Sequence, residues 1–379
     1  MKRKRVIMAA SHQGREKPAK DSVCELPIHR EIKEKNHLDI VDHFISIGLY
    51  EKAINFINEA LGNNEYLFEL HNKKGIALSR IGLNSSAIDS YNKAIEINPE
   101  FAEAYFNRGL AMQLAHDYLS ALDDYQNAVR IKEDYIEAYY NMGTVQQKLC
   151  DYENAIRSYD KAICINNNYA SAYNNRGIAL QELGRFDEAG ESYDKAISLK
   201  KDHPDGHYNK GLLLKKLGKK DEAIKSYEQA ISLKNDFYIA YNSLGIALRE
   251  SGNTKAAIDC FEKAIKLKGN YRDAYYNKGG AHKDLNEIDK SIDSYKKSIE
   301  IDPKHKESYN NIGVVYCDTG QYELSVSYFE MALLLDSTYI DAHYNKGVSL
   351  QSLGRIDDAI SAYTQAIETD QGHAESYNN

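Results

Sequence analysis

Asparagine is the residue whose recurrence in this sequence offers the most chemistry. It returns with a 34-residue spacing along most of the chain, with one gap (Asn107, Asn141, Asn175, Asn209, Asn277, Asn311 and Asn345). Its amide both donates and accepts hydrogen bonds, as a peptide bond does, and asparagine is a poor residue for a helix interior. Two interpretations follow. The amides form a ladder that binds the backbone of an extended peptide, or they bond neighbouring helices and fix the geometry between repeats.

The residue before each asparagine adds a second regularity. From Tyr140 onward this residue alternates between tyrosine and asparagine, so tyrosine recurs at every second repeat (Tyr140, Tyr208, Tyr276 and Tyr344). Duplication of a two-repeat unit is the simple explanation, and recognition of a ligand at every second repeat is the alternative. We predict that these tyrosines and the seven asparagines line one binding surface.

Patterns typical of catalysis or metal binding are missing from the sequence. His203 and His207 are four residues apart, but Pro204 begins a helix between them and His207 stands where other repeats have a core aromatic residue. The sequence has no GxxxxGK[ST] phosphate loop, no HExxH zinc motif and no GxSxG nucleophile motif. We therefore predict a protein that is not an enzyme and binds neither a metal ion nor a cofactor.

Glycine marks the elements that carry these residues. Nine glycines share the 34-residue spacing (Gly75, Gly109, Gly143, Gly177, Gly211, Gly245, Gly279, Gly313 and Gly347). Glycine within a helix costs about 1 kcal/mol relative to alanine, so its recurrence in one phase indicates close approach of a second helix. A small residue follows each glycine at the twelfth and nineteenth positions and an aromatic residue at the sixteenth, which is the spacing of a helical core face. A Gly, His, Cys or Asn at the seventh position supplies the turn, so each unit is predicted to be a helix hairpin.

This order of aromatic, glycine, small, aromatic and small residues resembles the tetratricopeptide repeat family. The resemblance covers residues 34–373 as ten repeats, and the first is atypical because Val41 replaces the glycine. It implies an all-α fold, a right-handed superhelical solenoid of antiparallel helix hairpins whose first helices form a concave groove. The asparagines and tyrosines above would line that groove. We predict that residues 1–33 form a basic, flexible N-terminal segment and that residues 374–379 begin an incomplete eleventh repeat.

The family resemblance implies binding of proteins or extended peptides. We predict a non-catalytic scaffold or adaptor that acts within a multi-protein assembly through its groove and edges. The alternative is a substrate-presenting arm of a larger enzyme, similar to a glycosyltransferase, whose catalytic part lies beyond residue 379. Co-chaperone members of the family grip a terminal carboxylate with basic residues on the first helix, and that clamp is absent from this sequence.

Charge and cysteine content restrict the partners and the compartment. The net charge is -8, but residues 1–20 hold seven Lys or Arg and one Glu. The acidic remainder argues against nucleic-acid binding, and the run from Lys2 to Arg5 is a nuclear signal, a contact for an acidic partner or a solvated tail. Five cysteines without CxxC spacing favour reduced thiols in the cytoplasm, with a nuclear or cytoskeletal location open through the basic segment. The longest apolar stretch, around Leu333–Leu335, is too short to span a membrane.

The C-terminal edge of the repeats is predicted to be apolar. Ile360, Tyr363 and Ile367 follow one another at helical spacing on the last complete helix, and no further complete repeat follows to cover them. Uncapped solenoid ends expose hydrophobic surface that another repeat would normally bury. We expect either a longer array or a contact between this edge and another subunit.

Overall fold

Close contact between a glycine and an aromatic ring defines the helix hairpins of the computed structural model, which describes residues 27–62 and 67–369. A Cβ atom added to Gly211 would lie 2.6 Å from Cε1 of Tyr227, and one added to Gly143 would lie 2.6 Å from Cε1 of Tyr159. Real Cβ atoms do not approach carbon atoms so closely, because protein interiors are already packed to crystal density. Glycine therefore sets the distance between the two helices, as its spacing predicts.

Left-handed residues close the turn inside each hairpin. Gly184 has φ of 75° and is followed by the Arg185 N–H bond to the Leu180 carbonyl at 2.9 Å, which ends the first helix in the manner of a Schellman motif. Where glycine is missing at this point, His116, Cys150 and Asn286 adopt the same conformation, with φ of 62°, 60° and 56°. The prediction that Gly, His, Cys or Asn supplies this turn is confirmed.

The chain divides into two compact units, Met1–Glu133 and Asp134–Asn379. The described part of the first unit contains three hairpins, whose helices are α1 (Pro27–Ser46), α2 (Tyr50–Leu61), α3 (Phe68–Arg80), α4 (Asn84–Ile97), α5 (Ala102–Leu114) and α6 (Tyr118–Ile131). Its first hairpin departs from the others because Val41 is fully buried at the glycine position, where it packs with Ile57 and Leu70. Helix α1 begins seven residues before the predicted repeat boundary at 34.

The described part of the second unit contains seven hairpins. Their helices are α7 (Ile136–Lys148), α8 (Tyr152–Ile165), α9 (Ala170–Glu182), α10 (Phe186–Leu199), α11 (Pro204–Lys216), α12 (Lys220–Leu233), α13 (Tyr238–Glu250), α14 (Thr254–Leu267), α15 (Arg272–Asp284), α16 (Ile288–Ile301), α17 (Lys306–Asp318), α18 (Tyr322–Leu335), α19 (Ile340–Ser352) and α20 (Ile356–Thr369). No strand occurs among the described residues of either unit. The predicted all-α solenoid of antiparallel helix hairpins is confirmed.

The predicted edges of the array are described only in part. Residues 1–26 of the predicted basic segment and residues 374–379 lie outside the described residues. On α20, Ile360 is 57% exposed, whereas its counterparts Val326 and Ile292 are 6% and 7% exposed. Tyr363 behaves differently from the expectation for an open edge, because it is 5% exposed and packs against Gly347 of its own hairpin.

Candidate functional site

The predicted asparagines of the second unit form hydrogen bonds from one first helix to the preceding first helix. Nδ2 of Asn209 donates to Oδ1 of Asn174 at 3.0 Å, and Nδ2 of Asn175 donates to the Tyr140 hydroxyl at 3.1 Å. The same contact, always to the residue 35 positions earlier, is made by Asn277 to Asn242 (3.0 Å), Asn311 to Tyr276 (3.1 Å) and Asn345 to Asn310 (3.2 Å). In the first unit, Asn107 donates to Asn72 at 3.0 Å. Each of these six asparagines thus joins two adjacent repeats through its Nδ2.

Asn141 is the exception, and the sequence explains why. Its Nδ2 donates to the Glu137 carbonyl of its own helix at 2.8 Å. The residue 35 positions earlier in the sequence is Phe106, whose side chain has no hydrogen-bonding group. The sequence therefore offers Asn141 no acceptor of the kind that the other asparagines use, and asparagine readily bonds to its own helix.

The alternation of tyrosine and asparagine corresponds to two kinds of contact between repeats. The rings of Tyr140, Tyr208 and Tyr276 lie 5.0 to 5.1 Å from the rings of Tyr169, Phe237 and His305, which stand just before the first helix of the next hairpin. The asparagines that take the tyrosine's place, Asn174, Asn242 and Asn310, are 5 to 6% exposed and accept from the next repeat's asparagine. Tyr344 lies on α19, with its ring 5.9 Å from that of Tyr363. The two-repeat period is thus a structural alternation between aromatic and amide contacts.

A cavity of about 430 Å³ lies where four first helices of the second unit meet. It brings together four of the predicted residues, Tyr140, Asn175, Tyr208 and Asn209. The other lining residues are Ser171, Asn174 and Ile178 from α9, His203 and Asp205 at the start of α11, and Phe237 and Ile239 at the start of α13. We call this cavity the α9–α11 groove. Asn141 lies on α7 beside Tyr140 but does not line the cavity. The remaining predicted residues of this unit lie on α15, α17 and α19 and do not line it either (Asn277, Asn311, Asn345, Tyr276 and Tyr344), and Asn107 belongs to the first unit.

The groove combines neutral hydrogen-bonding groups with an apolar lining. Burial raises the pKa of Tyr140 and of Tyr208 above the ordinary value, so both keep their hydroxyl protons. Nδ1 of His203 accepts a hydrogen bond from the Gly206 N–H at 3.2 Å, and burial lowers the pKa of this histidine. Asp205 is exposed at the rim and adds an acidic side chain to the groove.

Ion pairs across adjacent first helices form a second ladder, which the sequence reasoning missed. Lys215 pairs with Glu250 at 3.0 Å, Arg249 with Asp284 at 2.5 Å and Lys283 with Asp318 at 3.0 Å. The signal was opposite charge at the same sequence spacing as the asparagine bonds. Gly280 leaves room for the Arg249 side chain of this ladder, because a Cβ at position 280 would lie 2.5 Å from Nη1 of Arg249. The guanidinium thus fills the place of the apolar side chain found at this position in most repeats.

The basic residues that precede the marker glycines also join repeats. In the second unit each pairs with an acid on the second helix of the preceding hairpin. These pairs are Arg176 with Asp160 (2.7 Å), Lys210 with Asp194 (2.5 Å), Lys278 with Glu262 (2.7 Å) and Lys346 with Glu330 (2.8 Å). The charges therefore serve the contact between repeats at a position where the family pattern has an apolar residue.

A metal site requires several side-chain ligands that lie close together. Within residues 27–62 and 67–369 no three His, Cys, Asp or Glu side chains are arranged to bind one. None of the helices in those ranges is long and apolar enough to cross a membrane. The four cysteines within them, Cys150, Cys164, Cys260 and Cys317, are free thiols.

Comparison with known families agrees with the hairpin geometry. Models of the TPR repeat match residues 82–114, 117–149 and 151–184, and models of the tetratricopeptide repeat match 168–236, 238–271, 273–305 and 307–372. These matches cover most of the chain, and the chain belongs to the tetratricopeptide repeat family. The fold and the family together define a class of protein-interaction repeat proteins.

Solved structures with the same fold are numerous, and all those compared share little sequence with the chain. The C-terminal part of a TPR repeat-containing protein from Cytophaga hutchinsonii is 20% identical, with 63% of this chain and 98% of that chain covered and a TM-score of 0.52. A tetratricopeptide repeat protein from Parabacteroides merdae is 18% identical, with 65% and 98% covered and a TM-score of 0.53. A chain of the APC/C hetero-tetramer Cut9–Hcn1 is 12% identical, with 92% and 84% covered and a TM-score of 0.52. These likenesses show the fold alone, and no curated protein sequence matches the chain.

Proposed function

We propose that this protein is a non-catalytic scaffold that binds an extended peptide segment of a partner protein in the α9–α11 groove. The observation that carries the proposal is the convergence of four first helices on one cavity that contains side-chain amides, phenol groups and apolar side chains. Binding sites typically combine an apolar lining with a few fixed polar groups. The groove has this composition.

The contacts between repeats leave the amides able to bind a peptide. Asn209 uses one of its two Nδ2 protons in the bond to Asn174, and Asn175 uses one in the bond to Tyr140. An amide side chain has two N–H donors and an oxygen that accepts twice, so each of these asparagines keeps part of its capacity. Because the first bond holds the side chain in place, the remaining groups would lose little conformational freedom on binding a peptide backbone. The two interpretations of the asparagine ladder are therefore compatible.

The lining of the groove indicates which peptides fit best. Half-buried Ile178 and the rings of Tyr208 and Phe237 would contact apolar or aromatic side chains of the peptide. Asp205 would attract a basic side chain at the rim, although an exposed ion pair contributes little affinity. We propose that the ligand is an extended segment with an apolar residue and a nearby Lys or Arg.

We also propose a role within a multi-protein assembly in the cytoplasm. The exposed Ile360 on α20 supports contact of the C-terminal edge with another subunit, and the exposed thiols of Cys150 and Cys164 suit a reducing compartment. The acidic composition supports protein partners over nucleic acid.

Selection of peptides from a random displayed library tests the groove. Ser171 lines the cavity, and Ser171→Arg would fill part of it, whereas Ser198→Arg places the same side chain at an exposed position of α10, outside the groove. A selected peptide should bind Ser171→Arg at least about tenfold more weakly than the native chain, a loss of about 1.4 kcal/mol, and should bind Ser198→Arg normally. Peptides that bind both variants equally well, or a library that yields no peptide, would contradict the proposal.

A further inference from the structure

One second helix of the second unit has an apolar outer surface. On α18, Leu324, Met331 and Leu334 are 46%, 46% and 80% exposed. They lie at i, i+7 and i+10, so the three side chains share one side of the helix over about three turns. We call these three residues the α18 face.

The internal repetition of the chain shows that this face is unusual. At the place of Leu324 the other eight hairpins with a marker glycine have Ser, Asn, Glu, Lys, Asp or Ala. At the place of Met331 they have only Lys, Asn or Gln, and at the place of Leu334 they have Glu, Arg, Lys, Ser or Cys. The hairpin therefore folds with polar or small residues at all three positions, and the fold does not require apolar ones.

The interior of the hairpin uses a different side of α18. Its buried residues are Ser325, Val326, Phe329 and Ala332, of which Phe329 packs on Gly313. Helix α18 is thus apolar on two sides, one inside the hairpin and one exposed. Exposed apolar clusters on a folded domain are typical of protein interaction sites.

The charges around the α18 face indicate the chemistry of what covers it. Helices α18 and α20 contain five acids and no Lys or Arg, whereas each second helix from α4 to α16 contains at least one Lys or Arg. Glu330 is paired with Lys346 and Asp358 with Arg355. Glu323, Asp357 and Glu368 have no cation within ion-pair distance among the described residues, whereas α16, the second helix before α18, balances three Lys with three acids. The excess charge beside the α18 face is therefore acidic. A second copy of the same surface, or an anionic membrane, would be repelled by that charge.

We infer that the α18 face binds an amphipathic helix of another protein, with apolar residues on one side and Lys or Arg along the border. Helices pack at about 8 to 10 Å between axes when the side chains of one fill the grooves of the other, and Leu324, Met331 and Leu334 supply such side chains. The basic border of the partner would meet the acids of α18 and α20. This interaction is separate from peptide binding in the α9–α11 groove.

The test uses a synthetic helix of leucine and lysine, with leucine at helical spacing over about five turns, and measures its affinity for the full chain by fluorescence anisotropy. The triple variant Leu324→Glu, Met331→Lys and Leu334→Ser introduces residues that other hairpins have at these positions, and it leaves the net charge unchanged. It should retain native helicity and melting temperature and should bind the peptide at least about tenfold more weakly, or about 1.4 kcal/mol. Leu119→Glu, which changes another leucine that is 71% exposed, should bind the peptide normally.

Two comparisons sharpen the test. A leucine–glutamate helix of the same pattern should not bind, and higher salt should weaken binding of the leucine–lysine helix, because the border contacts are electrostatic. Equal peptide binding by the native chain and the triple variant, or the absence of binding by either, would overturn the inference. Concentration-dependent dimers of the native chain that the triple variant abolishes, without peptide binding, would assign the face to a second copy instead.

Discussion

Each first helix of the second unit has two sides that vary differently along the chain. The first side faces the second helix of the same hairpin, and the second side carries the asparagines. The first side repeats one solution, a glycine under an aromatic ring, from Gly143 to Gly347. The second side alternates between an aromatic contact, as at Tyr208, and an amide contact, as at Asn174. Inside a hairpin, steric fit allows only the pair of glycine and aromatic ring. Between repeats, several kinds of side-chain contact are possible. Variation can therefore accumulate where a ligand would bind without loss of the fold.

The largest expected effect comes from breaking the steric contact. Gly211→Ala places a Cβ at 2.6 Å from the Tyr227 ring and should lower the free energy of unfolding by about 2 kcal/mol, since overpacking exceeds the gain in helix propensity. Gly190→Ala, where the nearest atom is Leu213 Cδ2 at 3.7 Å, should instead raise it by up to about 1 kcal/mol. Urea unfolding followed by circular dichroism measures both. Stabilisation by Gly211→Ala would refute the steric account of the marker glycines.

The next effect separates two tyrosines with the same packing. The Tyr159 hydroxyl donates to Oε1 of Gln147 at 2.6 Å, while the buried Tyr227 hydroxyl has no partner among the described residues. At the place of Gln147 the hairpin of Tyr227 has Lys215, which pairs with Glu250. Tyr159→Phe should therefore cost about 1 kcal/mol, and Tyr227→Phe should be neutral or stabilising. Equal losses in thermal unfolding would contradict this assignment.

The contacts between first helices should give an effect of the same size as the Tyr159 hydroxyl. Asn209→Ala removes the donor to buried Asn174 and should destabilise the protein by about 1 kcal/mol. Asn141→Ala removes a bond within its own helix and introduces a better helix former, so it should be neutral or slightly stabilising. Measurement of the melting temperatures of both variants tests this difference. If the two variants melt at the same temperature, the bonds between repeats contribute nothing measurable.

The smallest effect concerns the ion pairs. Asp284→Asn leaves Arg249 without its partner and should lower stability by less than about 1 kcal/mol, because both side chains are roughly a third or more exposed. The loss should disappear in about 1 M salt, where exposed charges are screened. A loss that persists in high salt would show that the pair acts through packing over Gly280.

The hairpin interior was predictable from sequence because each of its positions admits few residue types. A glycine in one phase and an aromatic residue at a fixed distance after it have one common explanation, so even the left-handed turns at Cys150 and Asn286 could be assigned before the structure. The partners of the asparagines could not be assigned. The hydrogen bonds of an amide can be formed equally well with its own helix, a neighbouring helix or a ligand. Asn141 and Asn209 occupy the same position of the repeat but donate to different partners.

Two other features could have been found in the sequence by comparing repeats with one another. Phe106 stands 35 residues before Asn141, where the other asparagines of the ladder have Asn or Tyr, and this difference signals the exception. The apolar stretch around Leu334 also stands out in this comparison, because the place of Leu334 is polar or small in the other hairpins. Exposure of a residue depends on which side of a helix the neighbours cover, and that information comes from the structure.

The proposal that the α9–α11 groove reads a peptide backbone is tested most directly by methylating the backbone of a selected peptide one amide at a time. Neighbouring helices pack about 8 to 10 Å apart and an extended chain advances about 3.3 Å per residue, so successive first helices should meet about every third residue. Calorimetric titration should show loss of affinity at about every third N-methyl position, while methylation between these positions is tolerated. Uniform tolerance of N-methylation, with affinity that depends only on the peptide's side chains, would contradict recognition of the backbone by the asparagine amides.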